Sequence, residues 1–356
     1  MYSVANSVNK MYRGTRKVFE AFEDKRLDEL DYLCFTANTA RSTIKFTNYG
    51  GSPAPIIYVS TDNKETWTQW NYEAITLANV GDKVYMYGEN PNGICTESKI
   101  RSFAMTGSIA ASGDITTLLT REGTKDLSGK PYCFYRLFMN CNSLTTPPSL
   151  PATILSHSCY VEMFQYCSNL TSSPVLPAQT LTHDCYKAMF DRCTSLTEAN
   201  SIYAITMDTN SCESMFNECS SLVNPPLMMA TTVRSQSCFA MFQKCTSLKT
   251  GPQLPATTLA SYCYWRMFKG CTSLEVSPVL PATTLVTGCY EDMFHTCSKL
   301  KDITCLATNI SAVNCTSGWV TNVGSGGTFK KAPSMSSWGR DSNGIPTSWT
   351  VQDYSE

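Results

Sequence analysis

The chain has 356 residues, a net charge of −1, 16% charged residues and 42% hydrophobic residues, the composition of two or three folded units. No long block of one charge is present, which excludes the electrostatic footprint of a nucleic-acid binder. No apolar run reaches the roughly 18 residues of a membrane-spanning helix, and the N-terminus has neither the apolar core nor the cleavage site of a secretory signal.

Residues 1–32 read as a docking or oligomerising segment. Lys10 to Phe19 admit a hairpin turning at Gly14-Thr15. They equally admit an amphipathic helix with Val8, Met11, Val18, Phe22 and Leu30 inward. Met11, Tyr12, Val18, Phe19 and Phe22 are the candidate docking residues. The K-x-Y-x-G-x-x-x-V run from Lys10 to Val18 resembles an element common near the ends of phage structural proteins.

Residues 33–106 carry seven short runs of strand character, at 32–37, 43–47, 56–59, 67–70, 74–77, 83–87 and 101–105, separated by turn residues. Runs at that density predict a β-sandwich. Residues 107–131 then read as a lead-in that caps the first repeat.

From 132 to 306 a 26-residue block repeats seven times without losing phase. Cys141, Cys167, Cys193, Cys219, Cys245, Cys271 and Cys297 are evenly spaced, each with a phenylalanine three residues before and a leucine three after. A fixed period of this length predicts a solenoid whose units bury their apolar side against their neighbours. In the copy from Cys263 to Ala282, Cys263, Met267 and Cys271 fall at i, i+4 and i+8, one face of a short helix. Pro278 and Pro281 exclude helix further on, so each unit reads as extended segment, turn and short helix. The fold class expected is mixed α/β. Around Cys212 and Cys238 the first cysteine shifts by one, which predicts local irregularity. The repeat cysteines read as reduced core thiols. Eight residues of helix rise about 12 Å and packed helices sit about 8–10 Å apart, both poor for a disulfide.

The motif Met163-Phe164-x-x-Cys167-x-x-Leu170 with Leu176-Pro177-Ala178 resembles the BspA-like class of leucine-rich repeats, over roughly residues 130–306. The turn Ser60–Trp67, the run Gly81–Tyr85 and the lead-in from Gly107 to Leu119 resemble modules that precede such repeats in Bacteroidetes surface proteins and phages of those bacteria. Residues 307–356, with Trp319, Phe329, Trp338 and Trp349 among Gly/Ser/Pro turns, predict a small β-rich cap of the same kind.

No catalytic constellation emerges. His157 and His183 share one repeat phase, as repetition alone dictates, and the carboxylates Glu213, Glu218, Glu291 and Asp292 read as a solvent face. The reading is a non-enzyme without cofactor or metal. Binding is the expectation, because a solenoid offers a long regular surface. Tyr166, Arg192, Lys244, Lys269 and above all Trp265 are the candidate contact residues, whereas the recurring Tyr160, Tyr186, Tyr264 and Tyr290 read as packing. The resemblance implies a phage virion protein, a head or tail decoration or fibre, made in the host cytoplasm. It would be held by other virion proteins through its N-terminal segment, as a homo-oligomer, and would display the solenoid to a host-surface glycan or protein. The alternatives are a bacterial cell-surface adhesin and an intracellular interaction scaffold.

Overall fold

A computed structural model describes residues 30–49 and 53–355. The candidate docking residues Met11, Tyr12, Val18, Phe19 and Phe22 lie outside the described residues. Eight strands come first: β1 (Leu33–Ala37), β2 (Ser42–Tyr49), β3 (Ile57–Ser60), β4 (Thr68–Gln69), β5 (Ile75–Leu77), β6 (Lys83–Gly88), β7 (Ile100–Thr106) and β8 (Ile109–Ser112). They form a three-stranded sheet β5-β2-β7 and a larger sheet running β4-β3-β6-β1-β8. The two meet through Phe35, Phe46 and Phe103, with ring centroids 5.1 Å apart. The larger sheet then takes on a sixth strand, β9 (Leu144–Thr146), in parallel register with β8. That strand belongs to the first repeat, so sheet and repeats share one ladder.

The repeats build a solenoid of about seven turns of 26 residues. The extended segments meet as β10 (Thr180–Leu181), β11 (Thr206–Met207) and β12 (Thr232–Val233), all parallel. Farther on β13 (Val276–Leu280), β14 (Asp302–Cys305), β15 (Thr328–Lys331) and β16 (Thr350–Asp353) form a second parallel stack. The C-terminal residues therefore continue the coil stacking.

The short helices expected in each unit do not form. Among the described residues there is no α-helix, only a 3-10 turn at Ile115–Leu118, so the mixed α/β expectation is corrected to a nearly all-β chain. The reason lies in the backbone bonds. In the second unit the amides of Tyr160, Glu162, Phe164 and Tyr166 donate to carbonyls of the next coil, at 2.9–3.1 Å. The amides between them, Val161, Met163, Gln165 and Cys167, donate three residues back, at 3.0–3.3 Å. Half of the donors thus close tight turns and half stitch coil to coil, leaving none orphaned. Every fourth residue is left-handed, as at Ser158, Glu162 and Tyr166, with φ of 56°, 53° and 63°.

That geometry has a backbone period of 4.0, whereas a helix has 3.6. Cys159, Met163 and Cys167 therefore lie in one inward row without drift, and Tyr160 and Phe164 in the next; all five are fully or almost fully buried. The side-chain faces expected of a helix survive, but the element does not. At Gly288 the left-handed position also lies against the Tyr262 ring, where an added Cβ would sit 2.2 Å from a ring carbon.

Coil stacking sets the core. Phe138, Phe164, Phe190, Phe216, Phe242, Phe268 and Phe294 form an offset stack with centroids 5.3–5.8 Å apart and planes within 4–6°. Each repeat cysteine from Cys167 to Cys297 directs its thiol to the carbonyl of the phenylalanine one coil earlier, with Sγ to O at 3.0–3.1 Å. At the N-terminal end β7 supplies the missing rung. Phe103 stacks on Phe138 at 5.1 Å, and its carbonyl accepts from the Cys141 thiol at 3.0 Å. At the other end Trp319 closes both aromatic columns, 6.3 Å from Tyr290 and 6.1 Å from Phe294. Its indole N–H is satisfied by Gly344 O at 2.8 Å.

All 18 cysteines are buried and free. Contrary to the expectation from helix packing, distance does not forbid bridging between units, because coils joined by strand-type bonds stack about 4.8 Å apart. The thiols point at carbonyl oxygens instead. Around Cys212 and Cys238 the backbone ladder is uninterrupted, with Cys212 N to Ser237 O at 2.8 Å. Only the side chains change there: the two cysteines stand in the tyrosine column, and Met207 packs its sulfur 3.6 Å from Cys238 Sγ. A flexible thioether is suited to filling the space a missing ring leaves.

Candidate binding surfaces on the solenoid

The outer side of the turn segments carries the polar residues singled out in the sequence. Tyr166, Arg192, Glu218 and Lys244 share one repeat phase and fall into one column. Arg192 donates to the Tyr166 hydroxyl at 2.8 Å, with its guanidinium 5.1 Å from the ring centroid. Its Nε lies 3.0 Å from Glu218, and Lys244 Nζ lies 2.6 Å from the same carboxylate. The Lys244 hydrogen bond is the main reason the Glu218 carboxyl sits below its ordinary range. Beside this column Asp191 accepts from Gln165 at 2.8 Å and from Asn217 at 2.7 Å. These groups link coils to one another. Exposed pairs of this kind contribute about 0–1 kcal/mol each, and their value lies in a fixed pattern.

Lys269 and Trp265 sit farther along. Lys269 and Arg266 both reach Asp292, at 2.9 and 3.2 Å, and His295 approaches it at 3.4 Å. Trp265 stacks on Phe239, which occupies the same phase one coil earlier, at 4.4 Å and 19°. The Arg266 guanidinium lies 4.6 Å from the indole centroid, and Tyr262 packs at 5.5 Å. The candidate contact residues thus fall into two places, the Tyr166–Arg192–Lys244 column and the Trp265–Lys269 cluster.

His157 and His183 take different partners. The His157 ring is edge-on to Tyr132 at 5.4 Å, while His183 Nε2 lies 3.0 Å from its neighbour Asp184. Among the described residues no group of three His, Cys, Asp or Glu side chains is placed to hold a metal ion. Burial pushes the repeat thiols up, that of Cys141 to about 12, so none is poised as a thiolate nucleophile. No helix of the described residues is long and apolar enough to cross a membrane.

A feature that sequence reading missed lies on the strand side, near the C-terminal end. The outward residues of β13 to β16 border a groove of about 350 Å³. Val276 and Val279 flank it, 44% and 43% exposed, and Ser277 and Thr304 are buried along its floor. Lys330 is held by Asp302 at 2.7 Å, and Asp353 by Lys331. At its β13 flank the register shifts between Val276 and Val279. The local sequence carries no signal for it, since Ser277-Pro278-Val279-Leu280 repeats Ser173-Pro174-Val175-Leu176 of an earlier coil.

Fold and surfaces together define a repeat solenoid mounted on a β-rich unit, with polar ladders outside and sulfur and aromatic ladders inside. No protein family, curated protein or solved structure matches the chain under comparison.

Proposed function

We propose that this chain is a binding module: a solenoid rod, mounted on a β-sandwich, carried on a phage particle and turned toward the host surface. The observation that carries the binding part is the uninterrupted stack of coils. Register is held at every coil by the backbone ladder, and the outer columns repeat at strand spacing. Such a rod presents fixed side-chain patterns over many coils. The clusters on it are ion pairs and aromatic stacks, which recognise a partner without transforming it.

The phage part rests on the residue patterns of the head and the repeats. The M-F-x-x-C-x-x-L repeat, read as a BspA-like unit, supports an adhesive role, and the Lys10–Val18 run supports docking on a virion. Eighteen buried free thiols favour assembly in a reducing cytoplasm, and release by lysis would then bring the protein outside. Proteomics of purified virions from a lysate tests the reading. The chain should be found in particles, and deleting residues 1–31 should remove it from them while the solenoid stays folded. Absence from particles together with presence on uninfected cells would sink the proposal in favour of a cell-surface adhesin.

A further inference from the structure

We propose that the groove across β13–β16 binds a short stretch of neutral oligosaccharide. This deepens the binding reading and rests on it only for its biological setting. The groove runs along the solenoid axis, crossing strands of four successive coils, so it is roughly 14 Å long at strand spacing.

Its chemistry narrows the occupant. The Thr304 hydroxyl, the Gln352 amide and the Tyr354 phenol line the groove and have no partner among the described residues. Each can both donate and accept, as a sugar hydroxyl does. Of the charges lining the site, Lys330 is paired with Asp302, and Asp353 is paired with Lys331 from outside the lining, so no cation in the groove is left to attract an anionic ligand. An extended peptide would add along the outer edge of β16, whereas the lining side chains of β13, β14 and β15 lie on the sheet face, where backbone groups are used in the parallel ladder. Val276 and Val279 offer shallow apolar flanks suited to the C–H faces of a pyranose ring. Tyr354, anchored by its amide to Lys331 O at 2.7 Å, supplies an aromatic ring at one end.

The test is titration calorimetry of the full chain with neutral hexasaccharides of β-1,4-glucan, α-1,4-glucan, β-1,4-mannan and β-1,4-xylan. A hexa-uronate serves as the charged comparison. At least one neutral probe should bind, and more tightly than the hexa-uronate. Gln352→Ala and Tyr354→Ala should each weaken binding about tenfold, or about 1.4 kcal/mol, while melting stays as in the parent because both side chains are outside the core. Thr304→Val, close in shape, should weaken binding as well, and Thr258→Val, on a different exposed column, should not. Failure of all four probes, or binding that survives all three groove substitutions, overturns the proposal. The outcome is separable from the virion reading: a chain found on particles that binds no probe leaves that reading standing, and a chain that binds through the groove but is absent from particles does the reverse.

Discussion

Replacing Ser214 and Thr296 by glycine distinguishes a turn coil from a helix by the sign of the effect. Both residues are left-handed, with φ of 53° and 61°. In a helix interior glycine costs about 0.5–1 kcal/mol relative to alanine. At a left-handed position the Cβ of an L-residue itself costs about 1–2 kcal/mol, which glycine releases. The larger unfolded-state entropy of glycine takes back about 0.4–1 kcal/mol. The net expectation is a gain of about 0.5–1 kcal/mol per site. Little else is lost: the Ser214 hydroxyl has no partner among the described residues, and that of Thr296 bonds only to the adjacent His295 carbonyl at 2.6 Å. The sites lie three coils apart and share no contact, so their effects should add. Thermal and urea unfolding of the full chain should place the double variant about 1–2 kcal/mol above the parent. A loss of about 1 kcal/mol or more at each site would refute the left-handed turn geometry and restore the helix.

Three further outcomes concern the core and the junction. At Cys219, whose thiol donates to Phe190 O at 3.1 Å, serine keeps a donor and alanine does not; unfolding should rank Cys above Ser and Ser above Ala, with alanine about 1–2 kcal/mol down, and the reverse order would deny the donor role. Leu248→Asp places an unpaired carboxylate in a fully buried site and should abolish cooperative unfolding near its normal temperature, so an unchanged melt would contradict the packing. Asp114 caps the 3-10 turn where sheet and first coil meet, and burial, aided by the nearby Asp31, pushes its carboxyl up to about 6 despite hydrogen bonds from Thr116. A raised folded pKa contributes stability below about pH 4 that is lost as pH rises through 6, so Asp114→Asn should match the parent at pH 4 and exceed it by about 2–3 kcal/mol at pH 7; equal melting at both pH values would disprove the shift.

The repeat was legible because a solenoid writes its stacking into the chain at a fixed interval. The Cys, Phe and Leu columns identified the inward rows, and the seven strand runs of residues 33–106 coincide with β1 to β7. The element type was harder to read. Cys263, Met267 and Cys271 fit one helix face, and over nine residues a period of 3.6 is hard to tell from 4.0. A second signal was present: of the 24 left-handed positions in the coils, nine are Gly, Asn or Asp, the residues that tolerate that conformation.

Composition and period by themselves determined that the chain stacks and which side chains face inward, because each coil meets its neighbours through like residues 26 apart, but not that the stack runs on past residue 306 through β15 and β16. Tertiary structure decided the rest. Whether an amide bonds within its coil or to the next depends on a neighbour 25 residues ahead, so alternate turn and ladder bonds could replace a helix without altering the pattern of buried residues. Phe103 became the first rung of the phenylalanine stack only because β7 is carried to the first coil. The groove gathers Val276, Thr304, Lys330 and Gln352 from four coils, and no local window of sequence contains it.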